Sequence, residues 1–213
     1  MAVTTGAGLE GVIATQSEIC YIDGEAGVLA YQGYTIHTLA ENASFEEVIY
    51  LLWNGKLPNQ TELDYFKKNL VQYRPIPKQV QEFLASVPNA TPMDVLRTAV
   101  SMLSLYDPLV KDMSTESNLA KAHRLMSQTA TIVTTFDRLR KNLPVLDGDP
   151  ELSFAANFLY TLTGNKPDEV MERAFDIALR GSAPSQPAPM NPDHRCVRCG
   201  CEKADAEALI AGC

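Results

Sequence analysis

The chain has 213 residues, 46% of them hydrophobic, and a formal net charge of −8. That length and apolar content suit one domain with a sizeable core, or a domain plus an appendage. The acidic balance, with no cluster of Lys or Arg to displace counterions, excludes a nucleic-acid or anionic-membrane surface.

The first 18 residues lack Lys and Arg and are broken by Gly, Gln and Glu, so they do not read as a secretion signal. No run approaches the ~20 apolar residues of a membrane span, and a cytoplasmic protein is expected. Gly6-Ala7-Gly8-Leu9-Glu10-Gly11 fits the G-x-G-x-x-G pattern of dinucleotide sites. The mechanism needs a strand before it and a helix after it. Only five residues precede it and an extended stretch follows, so a flexible N-terminus is the expectation.

SEICYIDGEAGVLAYQGY then reads as a small hairpin, with glycines at 24 and 27 supplying the loop. Beyond it the apolar period changes from two to about 3.6. Ser44 with Glu47 forms a capping box, followed by Val48, Leu51 and Leu52 on one face and closed by Gly55. In this reading Glu46 points elsewhere and is solvated. Asn59 with Glu62 opens another helix, which turns Leu63, Phe66 and Leu70 inward and stops at Pro75. A shorter helix carries Val80, Phe83, Leu84 and Val87. Thr91-Pro92-Met93-Asp94 starts the next, with an N-cap, proline at the first position and an acid near the positive helix end. That helix runs through Leu96, Val100 and Leu103 toward Asp107-Pro108.

A long helix is expected from Thr115 to Lys141, and another from Glu151 to Thr163, stopped by Gly164. A last helix begins at Pro167 and buries Val170, Ala174 and Ile177. Some seven helices and one hairpin give an all-α, orthogonal multi-helix fold.

The character changes after Leu179. GSAPSQPAPMNPD, with four prolines and two serines, reads as a linker over 181–193. Residues 194–213 hold His194, Cys196, Cys199, Cys201 and Cys213, whereas the body contains only Cys20. C-x-x-C is a suitable local bite for zinc, but structural sites usually draw two ligand pairs from separate turns, and here the four candidates His194, Cys196, Cys199 and Cys201 fall within eight residues. The expected state is an unstructured, thiol-rich tail.

His37 and His123 lie on amphipathic helical stretches with no Ser or Cys nucleophile at a known spacing. The sequence does not set either beside Asp23 or Asp107, and triads are recognised by geometry. No residue is therefore assigned a catalytic, cofactor-binding or metal role, and no cofactor is assigned.

The body resembles the citrate synthases. The residues that carry the likeness are GLEGVIATQSEICYIDGEAGVLAYQGYTIHTLAENASFEEVIYLLWNGKLPNQTEL, TPMDVLRTAVSML and LSFAANFLYTLTGNKPDE, in that order between about Gly8 and Leu179. YIDG, LLWNGKLP and PMDVLRTAV together make it specific. Gln32 departs from the family's Y-R-G-Y. The resemblance implies an acyltransferase that condenses acetyl-CoA with oxaloacetate at the entry to the tricarboxylic acid cycle. An aspartate takes a methyl proton, one histidine stabilises the enol, another polarises the oxaloacetate carbonyl, and arginines hold the carboxylates. The family carries those groups in H-A-D-H-E, G-P-L-H-G-G, G-x-G-H and D-F-Y-S-G segments, none of which occurs here.

Residues 1–180 thus read as an N-terminal part of a citrate synthase large domain, followed by the linker and a foreign tail. The expected polypeptide is truncated before the catalytic residues and inactive alone, with acetyl-CoA and oxaloacetate bound only if the missing half is supplied. Alternatives are an all-α module pairing with intact citrate synthase, and a small zinc-binding protein acting through the tail. The expected partners are copies of itself or intact citrate synthase chains, because Leu125, Ile132, Phe136, Phe154, Phe158 and Ile177 would lose their usual cover. No nucleic acid and no membrane are expected.

Overall fold

A computed structural model describes residues 19–181. The glycine motif at 6–11, the tail residues His194, Cys196, Cys199, Cys201 and Cys213, and all but the first residue of the expected linker lie outside that range. Among the described residues the chain forms a three-stranded antiparallel sheet and then eight α-helices.

Strands β1 (Cys20–Asp23) and β2 (Val28–Tyr31) pair around the expected glycine loop, with Cys20 opposite Tyr31 and Asp23 opposite Val28. Asp23 Oδ1 accepts the backbone N–H groups of Glu25 and Ala26, which pins the turn. The hairpin continues into a third strand, β3 (Tyr34–Thr35), that the sequence reading did not anticipate. Its connection is only Gln32-Gly33, both at positive φ (49° and 91°), the signature of a tight primed turn. Gln32 is the position at which the chain departs from Y-R-G-Y, and it holds a left-handed conformation.

Helix α1 (Ile36–Asn42) is the helical stretch expected around His37, an addition to the seven counted, and is capped by the Thr35 side chain. Both expected capping boxes form, at Ser44–Glu47 for α2 (Phe45–Asn54) and at Asn59–Glu62 for α3 (Gln60–Gln72). Gly55 closes α2 in the left-handed region at φ 74°. Next come α4 (Lys78–Ser86), α5 (Pro92–Leu103) with a 3-10 turn at Ser104–Tyr106, α6 (Thr115–Arg140), α7 (Phe154–Thr163) and α8 (Glu169–Leu179). Thr91 occupies the N-cap of α5, but its side chain makes no capping bond. Helix α7 starts later than expected because Ser153, not Glu151, caps it.

Three apolar clusters form the interior. Leu39, Ala43, Val48 and Leu51 join α1 to α2, and Phe45, Ile49, Phe66 and Leu70 join α2 to α3. Ile76, Val80, Leu84, Val95, Ala99, Leu103, Ile132 and Phe136 pack α4, α5 and α6 together. Ile132 and Phe136 are therefore core residues at 1% and 5% exposure, not bare ones. Phe154, Phe158 and Ile177 are half-buried, and of the six expected positions only Leu125 is largely exposed. Helices α4 and α5 cover Ile132 and Phe136, Phe154 packs on the α2–α3 cluster and Phe158 stacks on Phe175 of α8.

The inward face of α8 also differs from expectation. Val170 is 79% exposed and Ala174 is exposed, while Glu172, Phe175, Asp176 and Leu179 face the body. Specific polar partners for Glu172 and Asp176 outweigh the apolar pattern that the sequence suggested.

Candidate functional site

The polar groups of the interior converge where α2, α7 and α8 meet. Glu46, 2% exposed, accepts the backbone N–H of Phe154 at 2.9 Å, so a residue at the start of α2 satisfies the start of α7. Asp176 accepts the N–H of Phe45 at 2.9 Å and so satisfies the start of α2 from α8. Ser153 donates to Glu172 at 2.6 Å. Helices α2 and α8 thus lend carboxylates to the positive end of a neighbour, Glu46 and Glu172 to the start of α7 and Asp176 to the start of α2, where a negative charge is favoured.

Three buried or half-buried arginines complete this frame. Arg180, 6% exposed, donates to the carbonyls of Leu39 and Ala40 and pairs with Asp176. Arg74 donates to Asp149 O at 2.7 Å, to Asn157 Oδ1 at 3.1 Å and to Leu152 O at 3.2 Å. Burial pushes both guanidinium groups below their ordinary value; nearby Glu46 offsets this in each case. Arg138, 5% exposed, reaches Pro144 and Leu162 carbonyls. These bonds stitch segments far apart in sequence, and sequence reasoning missed all three arginines and assigned Glu46 to solvent.

Between α6 and α7 lies a cavity of ≈ 10 Å³, lined among others by Arg74, Ser127, Asn157 and Thr161. That is room for about one water, whereas small-molecule pockets run to roughly 300–1,000 Å³. The Ser127 hydroxyl, on a residue 1% exposed, has no hydrogen-bond partner.

The histidines stand apart from these groups. His37 is half-buried on α1. His123, on α6, shares its Nδ1 with Leu119 O at 2.8 Å and sits against the rings of Trp53 and Phe66, 5.0 and 4.8 Å between centroids. Its Nε2 is buried without a partner. Asp107 pairs with Arg124 at 2.8 Å, and Asp23 holds its own turn. The structure therefore brings neither aspartate to a histidine by any bond. Among the described residues no group of three or more His, Cys, Asp or Glu side chains could hold a metal ion, and no helix is long and apolar enough to cross a membrane.

Comparison with known proteins places this frame. The family model described as "Citrate synthase, C-terminal domain" matches residues 8–183. Citrate synthase 2 of Bacillus subtilis is 42% identical over 179 residues, which is 83% of this chain and 48% of that protein. The citrate synthase of Haloferax volcanii is 41% identical over 177 residues, covering 81% of this chain and 47% of the relative. Among solved structures, the citrate synthase of Pyrobaculum aerophilum superposes with a TM-score of 0.76 at 31% identity, over 96% of this chain and 54% of that one. The Thermoplasma acidophilum citrate synthase, solved in a ternary complex with carboxymethyl coenzyme A and oxaloacetate, gives a TM-score of 0.77 at 25% identity, over 84% and 48%. The chain spans about half the length of the curated relatives it matches.

Proposed function

The chain belongs to the citrate synthase family, and we propose that it is a helical half of that fold which does not condense acetyl-CoA with oxaloacetate by itself. Coverage carries this reading: the matched segment is under half of the two curated relatives, and the H-A-D-H-E and G-P-L-H-G-G segments are absent from the sequence. Acyl condensation needs a positioned base at the methyl group and donors aimed at the developing oxyanion. Glu46, Glu172 and Asp176, the carboxylates gathered where α2, α7 and α8 meet, are instead engaged with helix starts and, for Asp176, with Arg180, and the cavity between α6 and α7 holds no more than a water. On this reading acetyl-CoA and oxaloacetate bind only when the remaining half of the fold is supplied. Residues 1–180 form the family body, 181–193 a linker and 194–213 an appended tail; the chain resides in the cytoplasm and associates with itself through apolar surface.

Calorimetric titration of the full chain with oxaloacetate, and separately with acetyl-CoA, tests the binding half of this reading. No saturable heat is expected for either ligand up to millimolar concentration; saturable binding of either would overturn it.

A further inference from the structure

The segment LLWNGKLP holds the chain's only Asn-Gly step, Asn54-Gly55. Asparagine followed by glycine is open to spontaneous deamidation, because no side chain on the glycine hinders attack of its backbone nitrogen on the asparagine Cγ. The attack closes a cyclic imide and expels ammonia. Water then opens the ring to aspartate or isoaspartate, so the whole conversion consumes one water and releases one ammonia.

The fold sets this pair at a helix end with both reacting groups engaged. Asn54 is the last residue of α2 and Gly55 its left-handed cap. The Gly55 N–H donates to Leu51 O at 2.8 Å, and Asn54 Nδ2 donates to Tyr50 O at 3.0 Å. The second bond turns the side-chain amide back along the helix, whereas attack needs its carbon over the Gly55 nitrogen. Asn54 is exposed, and the last turn of a helix opens more readily than its body. What holds this end closed lies just beyond it. Lys56 pairs with Glu62 of α3 at 2.7 Å, Leu57 packs on the α1–α2 cluster and Pro58 is buried.

We propose that Asn54-Gly55 is a spontaneous modification site gated by the last turn of α2, with the Lys56–Glu62 pair as the latch. That ion pair is exposed and therefore weak, so the gate opens within the native ensemble. Neither product restores the turn. A carboxylate at position 54 puts negative charge at the negative end of the helix dipole and competes with Glu62 for Lys56. Isoaspartate also adds a carbon to the backbone, which takes the Gly55 N–H out of register with Leu51 O. Conversion thus loosens the α2–α3 junction, on the helix whose other end carries Glu46, the acceptor for α7.

Peptide mapping by mass spectrometry of the full chain, incubated at neutral pH in buffer and in guanidinium chloride, tests this. The readout is the mass change when the Asn54 amide becomes a carboxyl, which isoaspartate formed at Asp23-Gly24 or Asp147-Gly148 does not produce. Conversion is expected in buffer, at least several-fold slower than in denaturant. Glu62→Gln is expected to speed it in buffer and to leave the rate in denaturant unchanged. Equal rates for the parent chain in the two conditions would overturn the proposal. So would a Glu62→Gln chain that converts at the parent rate in buffer, or no conversion in buffer while the denatured sample goes to completion. Asn54→Asp fixes the direct product and is expected to melt below the parent at neutral pH; a midpoint equal to or above the parent's would overturn the claim that conversion loosens the junction.

Discussion

The backbone N–H of Phe154 donates to the Glu46 carboxylate at 2.9 Å, joining the first turns of two helices 108 residues apart in sequence. Glu46 is 2% exposed, so its loss leaves a buried amide without an acceptor. Glu46→Ala should cost about 1–3 kcal/mol, and lower the thermal midpoint by roughly 2–4 °C per kcal/mol for a body of this size. Glu46→Gln keeps an acceptor and should lose clearly less. Thermal unfolding of both variants checks the ranking; equal losses would mean that the bond to Phe154 is not what Glu46 contributes.

That bond also shows what the sequence does and does not reveal. Helix starts at Ser44, Asn59 and Thr91 and stops at Gly55 and Gly164 were legible because caps are local devices, written within four residues. The face of α8 was misread for the opposite reason. Val170 and Ala174 look inward by apolarity, yet Asp176 has a partner at Phe45 and Arg180 has partners at Leu39 and Ala40, more than 130 positions away. No local pattern encodes such partners. A weaker signal existed for β3: Gln-Gly between two Tyr-containing runs is a two-residue hairpin loop, though less telling than Asn-Gly. The family was legible from its motifs, and for the candidate site the sequence could show only which motifs are absent.

The interior joining α4, α5 and α6 should behave as a packed core. Leu84 is fully buried among Val80, Val95 and Ile132. Leu84→Ala should cost about 2–5 kcal/mol, the transfer term plus an unfilled cavity. Leu125→Ala, at a 43% exposed position, should change stability by no more than about 0.5 kcal/mol. Denaturant midpoints at constant m-value check the contrast.

Ser127 offers the opposite sign. Its hydroxyl is buried without a partner beside a cavity the size of one water. Removing an unsatisfied buried hydroxyl is close to neutral or favourable, so Ser127→Ala should leave stability unchanged or raise it by up to about 1 kcal/mol. A clear loss in urea unfolding would mean that the hydroxyl is satisfied by an internal water.

Acid should weaken the start of α3. The Lys56 ammonium, followed by the Asn59 backbone N–H, holds the Glu62 carboxyl below its usual value. Asp112 and Asp149 are also held low, by Ser114 and by Lys166 respectively. A carboxyl depressed on folding lends stability above its unfolded pKa, near about 4.3 for Glu, and that contribution disappears as pH falls through the folded value. Glu62→Gln should therefore melt below the parent chain at pH 7, and the gap should narrow as the pH falls below the unfolded value of about 4.3. Because the pair is exposed, added salt should also narrow the gap at pH 7. A gap that stays constant from pH 7 to pH 3 would show that the charge of Glu62 contributes nothing.

This chain carries the citrate synthase fold over about half the length of the relatives it matches, and the proposed function is that it does not condense acetyl-CoA with oxaloacetate alone. Thiol release from acetyl-CoA in the presence of oxaloacetate tests it most directly, with protein prepared in a host lacking its own citrate synthase. A rate indistinguishable from the protein-free control is expected at any concentration of the chain. Turnover that rises in proportion to the chain and is saturable in oxaloacetate would contradict it.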